Sequence, residues 1–295
     1  MISTPQKIKP VVLLAQQRSG TTALGSVLDQ SDHIKCFGEV FYCFPNNYFD
    51  FLAKLAEEDK TFLYPDGMRT KFDKYIDYLA SFANNKPFAL LDIKYNSTHH
   101  LNGFWFNLSQ RPVLFDILIE RKIPIIHLLR RNFLKRYVSA SLARKSKVWH
   151  AHSAEQVINS KSQTIKLDPA KLIENLQFQS SELALALKYL GEYENVLTLI
   201  YEKLFDMDGN ITSSTEEGLC EFLGLDRLGS RTPRLKKMTQ NNLRNVIENF
   251  DEVALALAST PYEWMLTQDS PDTKRGIQVD KPVPFLSKLK TWQSK

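Results

Sequence analysis

The sequence predicts an α/β fold in three layers, with a central parallel sheet flanked by helices. Three observations carry that expectation. Four short runs, residues 11–15, 88–93, 123–129 and 196–201, are apolar on both faces, as strands buried between helix layers must be. Each is followed by polar residues and then by apolar positions at helical spacing. That alternation marks βαβ units, whose strands run parallel. The 295 residues suffice for one large domain, and no linker splits them, so a single domain over residues 1–295 is expected.

The first run enters the polar loop Gln16-Gln17-Arg18-Ser19-Gly20-Thr21-Thr22, and a helix over residues 21–28 follows directly. A strand, a glycine turn and a helix N-terminus together make an anion site, where backbone N–H groups and the positive end of the helix dipole converge. Gly20 permits close approach, Thr21 and Thr22 add hydroxyl donors, and Arg18 adds a fixed positive charge. The loop points to phosphate or sulfate as a ligand.

Helical spacing recurs over residues 72–82, 134–143, 169–190, 216–223 and 243–257. Asp168 before Pro169 reads as an N-cap followed by proline at the first helical position. The third run ends in Arg130-Arg131-Asn132. With Asn132 as N-cap, Arg131 sits at the strand end and Ser139 about two turns into the helix. The carboxyl end of a parallel strand is where ligands meet such sheets, so Arg131 and Ser139 are candidates to clamp a second phosphate. Residues 145–166, rich in Lys, Ser and His, read as a surface insertion bordering a cleft. Residues 270–295 read as an irregular tail.

Hydrophobic residues make up 43% and charged residues 24%, which is ordinary for a globular protein. A net charge of +5 is too small to argue for nucleic acid, so no nucleic-acid partner is expected. Cys36, Cys43 and Cys220 are odd in number and lack zinc spacing, which fits buried thiols in a reducing compartment. No run approaches the roughly 20 apolar residues of a membrane span. The expectation is a cytoplasmic protein without a metal, free to work peripherally at the inner face of a membrane.

The loop is not a Walker A motif, because no lysine follows Gly20, and it is not the G-x-G-x-x-G dinucleotide fingerprint. The core Arg18-Ser19-Gly20-Thr21-Thr22, with Arg131 and then Ser139 eight positions on, instead resembles the sulfotransferases that use 3′-phosphoadenosine 5′-phosphosulfate. Softer matches are Phe37-Gly38-Glu39-Val40-Phe41, Tyr201-Glu202-Lys203-Leu204, Phe222-Leu223-Gly224-Leu225 and Asn249-Phe250-Asp251-Glu252, so the resemblance spans Val11 to about Leu266. The stretch from Asp92 to His100 is similar to the bacterial carbohydrate and lipopolysaccharide branch. The usual Arg-Asp-Pro is Arg131-Asn132-Phe133 here, with Arg130 as the alternative to Arg131. Arg234, Lys236 and Lys237 stand where a C-terminal basic loop is expected.

The resemblance implies a P-loop-like fold and a set of roles. Gln17, Arg18, Ser19, Gly20, Thr21 and Thr22 would hold the donor's 5′-phosphosulfate, and Arg131 and Ser139 its 3′-phosphate. Adenosine 3′,5′-bisphosphate would be the product. The acceptor would be a hydroxyl of a carbohydrate, a glycolipid or a small alcohol. A sugar hydroxyl needs a general base, and Glu39 among aromatic residues is the first candidate, with His99 and His100 competing. Lys94 near a strand end would hold the acceptor or the transferring group, while Tyr95, Trp105 and Trp149 would stack on sugar faces. The rival readings are a P-loop-like kinase or nucleotide hydrolase, and a non-catalytic nucleotide-binding protein.

Overall fold

A computed structural model describes residues 8–64, 66–102, 110–147, 149, 163–191, 193–234 and 242–267. In chain order its main elements are β1 (Lys9–Ala15), α1 (Thr21–Leu28), β2 (Ile34–Glu39), α2 (Tyr48–Glu58), α3 (Met68–Ala80), β3 (Phe88–Lys94), α4 (Val113–Glu120), β4 (Ile125–Leu129), α5 (Phe133–Ser146), α6 (Pro169–Leu190), β5 (Val196–Ile200), α7 (Ser213–Leu223) and α8 (Phe250–Leu257). The chain forms two compact units. Residues 1–131, 148–159 and 192–238 make the first, and residues 132–147, 160–191 and 239–295 the second.

The first unit carries a five-stranded, all-parallel sheet in the order β2-β3-β1-β4-β5. Val11, Leu13 and Ala15 of β1, Leu90 of β3 and Ile126 and Leu128 of β4 pack with Leu24, Val27 and Leu28 of α1. Leu219 and Leu223 of α7 join the same cluster. Side chains alternate along a strand, so Val12, Leu14, Leu91, Ile93 and Ile125 face the other way, and they are equally buried. The connections β2→β3 and β3→β4 cross the sheet in the opposite direction to β1→β2. Right-handed crossovers therefore carry α2, α3 and α4 to that second face.

One strand is absent from the four apolar runs. Edge strand β2, Ile34-Lys35-Cys36-Phe37-Gly38-Glu39, carries a lysine and a glycine, so its apolar signal is diluted. Helices α2 and α4 also lie outside the five stretches read from the sequence. The helix expected over residues 243–257 is broken into a 3-10 turn at Leu243–Asn245 and α8, because Ile247 bridges to Ile165 between them. Cys220 is buried and Cys36 half-buried, but Cys43 is exposed and corrects the expectation of three buried thiols.

The second unit is helical. Leu134, Val138 and Leu142 of α5, Leu172 and Leu176 of α6, and Val253 and Leu257 of α8 share one apolar cluster with Met265. The caps are those expected. The Asp168 side chain accepts from the N–H groups of Ala170 and Lys171 ahead of α6, with Pro169 first in the helix. The Asn132 side chain accepts from the Lys135 N–H at 2.8 Å. Ser139 lies on α5 and is buried. The interior of the expected insertion (residues 150–162), the tail from 268, Trp105, Lys236 and Lys237 lie outside the described residues. Among the described residues, no helix is long and apolar enough to cross a membrane.

Candidate active site

Strand register assembles a charged cluster at the carboxyl ends of β1, β2 and β3. Strand β3 lies between β2 and β1, with Ala15 paired to Lys94, Leu13 to Asp92, and Glu39 to Asp92. Asp92 and Lys94 are two residues apart, so they share the face of Leu90, which α1 covers. The helices that follow β1 and β3 leave in opposite directions, which opens a crevice between these strands. Glu39 enters through a register irregularity between Cys36 and Glu39, with Gly38 at φ 68°. Such a bulge re-aims the side chain that follows it.

The Lys94 ammonium is buried and closely coordinated. Its Nζ lies 2.6 Å from each Asp92 carboxylate oxygen and donates to Thr21 Oγ1. Glu39 Oε1 stands 3.6 Å away. Asp92 is itself 5% exposed, so each charge depends on the other for its burial. Burial pushes the Glu39 carboxyl above its usual range, while Lys94 pulls in the opposite direction. Glu39 and Lys94 line a cavity of about 150 Å³ together with Gln17, Phe41, Tyr42 and His100. The His100 ring packs 5.2 Å from Phe49 and 5.7 Å from Phe41, and burial lowers its pKa.

The anion loop borders this cavity through Gln17. Arg18 and Gly20 both take left-handed backbone conformations, φ 62° and 91°. At Gly20 only glycine fits, because an added Cβ would lie 2.4 Å from Cε2 of Tyr201. Arg130 braces the loop: its Nη1 donates to the Arg18 carbonyl at 2.8 Å, and its guanidinium carbon stands 4.6 Å from the Tyr201 ring centre. Arg130 is buried, and its Nε has no hydrogen-bond partner among the described residues. Burial, then the neighbouring Arg130, lowers the Arg18 pKa. The Arg18 guanidinium donates to the Trp149 carbonyl at 2.9 Å and lies 5.8 Å from that indole. Ser19 and Thr21 are buried, whereas Gln17 and Thr22 are exposed.

The structure therefore brings together Gln17, Thr21, Glu39, Lys94 and His100 from the residues singled out by sequence. Others are placed differently. His99 is exposed, and its Nδ1 is 3.1 Å from Asn102 Nδ2, outside the cavity lining. The Tyr95 hydroxyl shares a hydrogen bond of 2.5 Å with His127 Nε2, and Tyr95 is not among the lining residues either. His127 is fully buried in β4; burial pushes its pKa down to about 4, so it is neutral at physiological pH. The Arg131 N–H donates to Glu202 Oε2 at 3.2 Å. Arg234 reaches Asp29 Oδ2 at 3.6 Å.

Sequence reasoning assigned no task to Asp92, His127 or Tyr201. For Asp92 a signal existed: a carboxylate two residues before a lysine, inside an otherwise apolar strand, marks a buried pair on one face. Among the described residues, no group of three or more His, Cys, Asp or Glu is placed to hold a metal ion.

No family model and no curated protein matches the chain. Similar solved structures include the sulfotransferase domain from the Synechococcus PCC 7002 olefin synthase, at 14% identity over 75% of each chain, with a TM-score of 0.36. A sulfotransferase from Alicyclobacillus acidocaldarius is also similar, at 13% identity over 91% of this chain and 98% of that one, with a TM-score of 0.41.

Proposed function

We propose that the chain is a sulfotransferase moving the sulfuryl group of 3′-phosphoadenosine 5′-phosphosulfate to a hydroxyl of a carbohydrate or glycolipid, in the cytoplasm. One observation carries the reading. A half-buried carboxylate, Glu39, faces an anchored ammonium, Lys94, at 3.6 Å in a cavity bordered by the anion loop.

The donor supplies an activated sulfuryl group with a phosphate leaving group, so the protein's tasks are positioning, charge stabilisation and proton acceptance. The loop from Gln17 to Thr22 suits the anionic end. Left-handed turns at Arg18 and Gly20 favour converging N–H groups. Thr21 accepts from Lys94 through its oxygen, which leaves its own O–H to donate to an anion. Lys94 sets positive charge at the cavity floor. Arg131 and Ser139 keep the 3′-phosphate role that the resemblance implies for them. Glu39 accepts the acceptor proton: burial raises its proton affinity, and the Lys94 ammonium offsets part of that rise. Phe41 and Tyr42 line the same cavity and suit the apolar face of a sugar ring.

A melting experiment tests the reading. Adenosine 3′,5′-bisphosphate at about 100 times its Kd should stabilise the protein by about 2.7 kcal/mol, and ATP with magnesium should not. Stabilisation by ATP and magnesium alone would replace the sulfotransferase with a kinase-like nucleotide site.

A further inference from the structure

We infer that Lys94 is a built-in cation, whose ammonium fills the place where a nucleotide site of this strand-loop-helix design holds a divalent metal ion. In P-loop nucleotide sites the ion is held by a Ser or Thr hydroxyl from the first turn of the loop's helix and by an aspartate from a neighbouring strand. This chain has a comparable pair. Thr21 is the first residue of α1, one position before the residue whose hydroxyl holds the ion in a G-K-[ST] loop. Asp92 lies near the carboxyl end of β3, which pairs with β1. Between them stands the Lys94 Nζ, 2.6 Å from each Asp92 oxygen and hydrogen-bonded to Thr21 Oγ1.

The donor count matches. An ammonium has three N–H groups, and the two Asp92 oxygens and the Thr21 hydroxyl supply three acceptors. Glu39, at 3.6 Å, adds a second carboxylate to the surroundings. Oxygen ligands of this kind, one or two carboxylates with a hydroxyl and a phosphate, are those that Mg²⁺ and Mn²⁺ select. The lysine differs from an ion in two respects. It brings one positive charge instead of two, and its chain tether means that its ordering is already part of folding. Asp92 is then a positioning residue: it acts on a bound anion only through Lys94 and Thr21.

The test exchanges the tethered cation for a free one. Wild type, Lys94→Ser and the double variant Lys94→Ser/Asp92→Asn are treated with chelator, then titrated with MnCl₂ alone by calorimetry. Lys94→Ser should bind Mn²⁺ at least ~10-fold more tightly than wild type, and the double variant should lose that gain, since each carboxylate is a main ligand for a hard cation. With adenosine 3′,5′-bisphosphate, Lys94→Ser without metal should show a ~10-fold or greater rise in Kd, because the site loses one positive charge beside the anion loop. Mn²⁺ should reverse most of that rise and leave wild-type affinity unchanged. No gain in Mn²⁺ affinity in folded Lys94→Ser overturns the inference. So does a gain that survives Asp92→Asn, because the ion is then elsewhere. If Lys94→Ser is unfolded in chelator, it should refold in millimolar Mn²⁺, and failure to refold overturns the inference equally. The nucleotide arm rests on the proposed function and the Mn²⁺ arm does not. Mn²⁺ gained by Lys94→Ser, with no bisphosphate binding by wild type, would keep the cation and remove the sulfotransferase.

Discussion

Two neighbouring residues at the end of β3 meet burial in opposite ways. Lys94, on the α1 side of the sheet, meets it by pairing with Asp92 and Thr21. Tyr95 bonds to His127, which alternates with Ile126 and Leu128 of the α1-side cluster and so faces the other side. There the problem is solved by losing charge: His127 is held neutral, with a pKa of about 4. Of these two, Lys94 is the one with a carboxylate partner, and its side of the sheet adjoins the anion loop. The difference separates a site meant to meet an anion from a polar contact that joins β4 to the end of β3.

The largest expected effect breaks the charged side. Asp92→Ala removes the nearer carboxylate and leaves the buried Lys94 ammonium with Glu39 at 3.6 Å, which should cost up to about 3–5 kcal/mol of stability in urea denaturation. Asp92→Ala combined with Lys94→Met should recover most of that loss. A single variant as stable as wild type would show that the pair is not a buried ion pair in solution.

The neutral side should appear in the pH dependence of stability. The folded pKa of His127, about 4, lies below the unfolded value near 6.5, so the unfolded state binds more protons between them. The stabilisation is present above about pH 6.5 and is lost as pH falls towards 4, by up to about 3 kcal/mol. His127→Gln should flatten that acid limb. An unchanged limb would transfer the acid sensitivity to other groups.

The smallest change sharpens the contrast by removing one oxygen's charge from the cavity. Glu39→Gln should slow sulfuryl transfer by about 10²-fold or more, with bisphosphate affinity nearly unchanged. A near-normal rate would move the proton acceptor to His100, which shares the cavity. In the wild type, activity should fall as pH drops through the raised pKa of Glu39, and this acid limb should vanish in the variant.

Much of this architecture was legible in the chain. The runs at residues 11–15 and 88–93 became β1 and β3, and the loop between β1 and α1 needed no tertiary information, because strand, Gly20 and helix are contiguous. Asp168 and Asn132 capped helices as their side chains dictate. The edge strand was not legible, since Lys35 and Gly38 dilute its apolar pattern. Glu39 was found for its chemistry, with no strand expected there; the structure sets it at the end of β2, level with Asp92. His99 and His100 look equivalent in sequence, yet in the 3-10 turn Tyr95–Leu101 only His100 reaches the cavity. Arg130 and Arg131 are also adjacent. Only Arg130 is described bracing the loop, because alternation at a strand end sends neighbours to opposite sides.

By itself, the sequence determined the local chemistry: a parallel α/β pattern, an anion loop at a helix N-terminus, and the helix caps. These depend on residues within a few positions of one another. Only the tertiary structure decided which distant charges meet. Parallel register aligned Ala15, Glu39, Asp92 and Lys94, and the bulge at Gly38 brought Glu39 towards Lys94. Strand pairing is set by hydrogen bonds and buried surface across the whole sheet, and no local pattern encodes it.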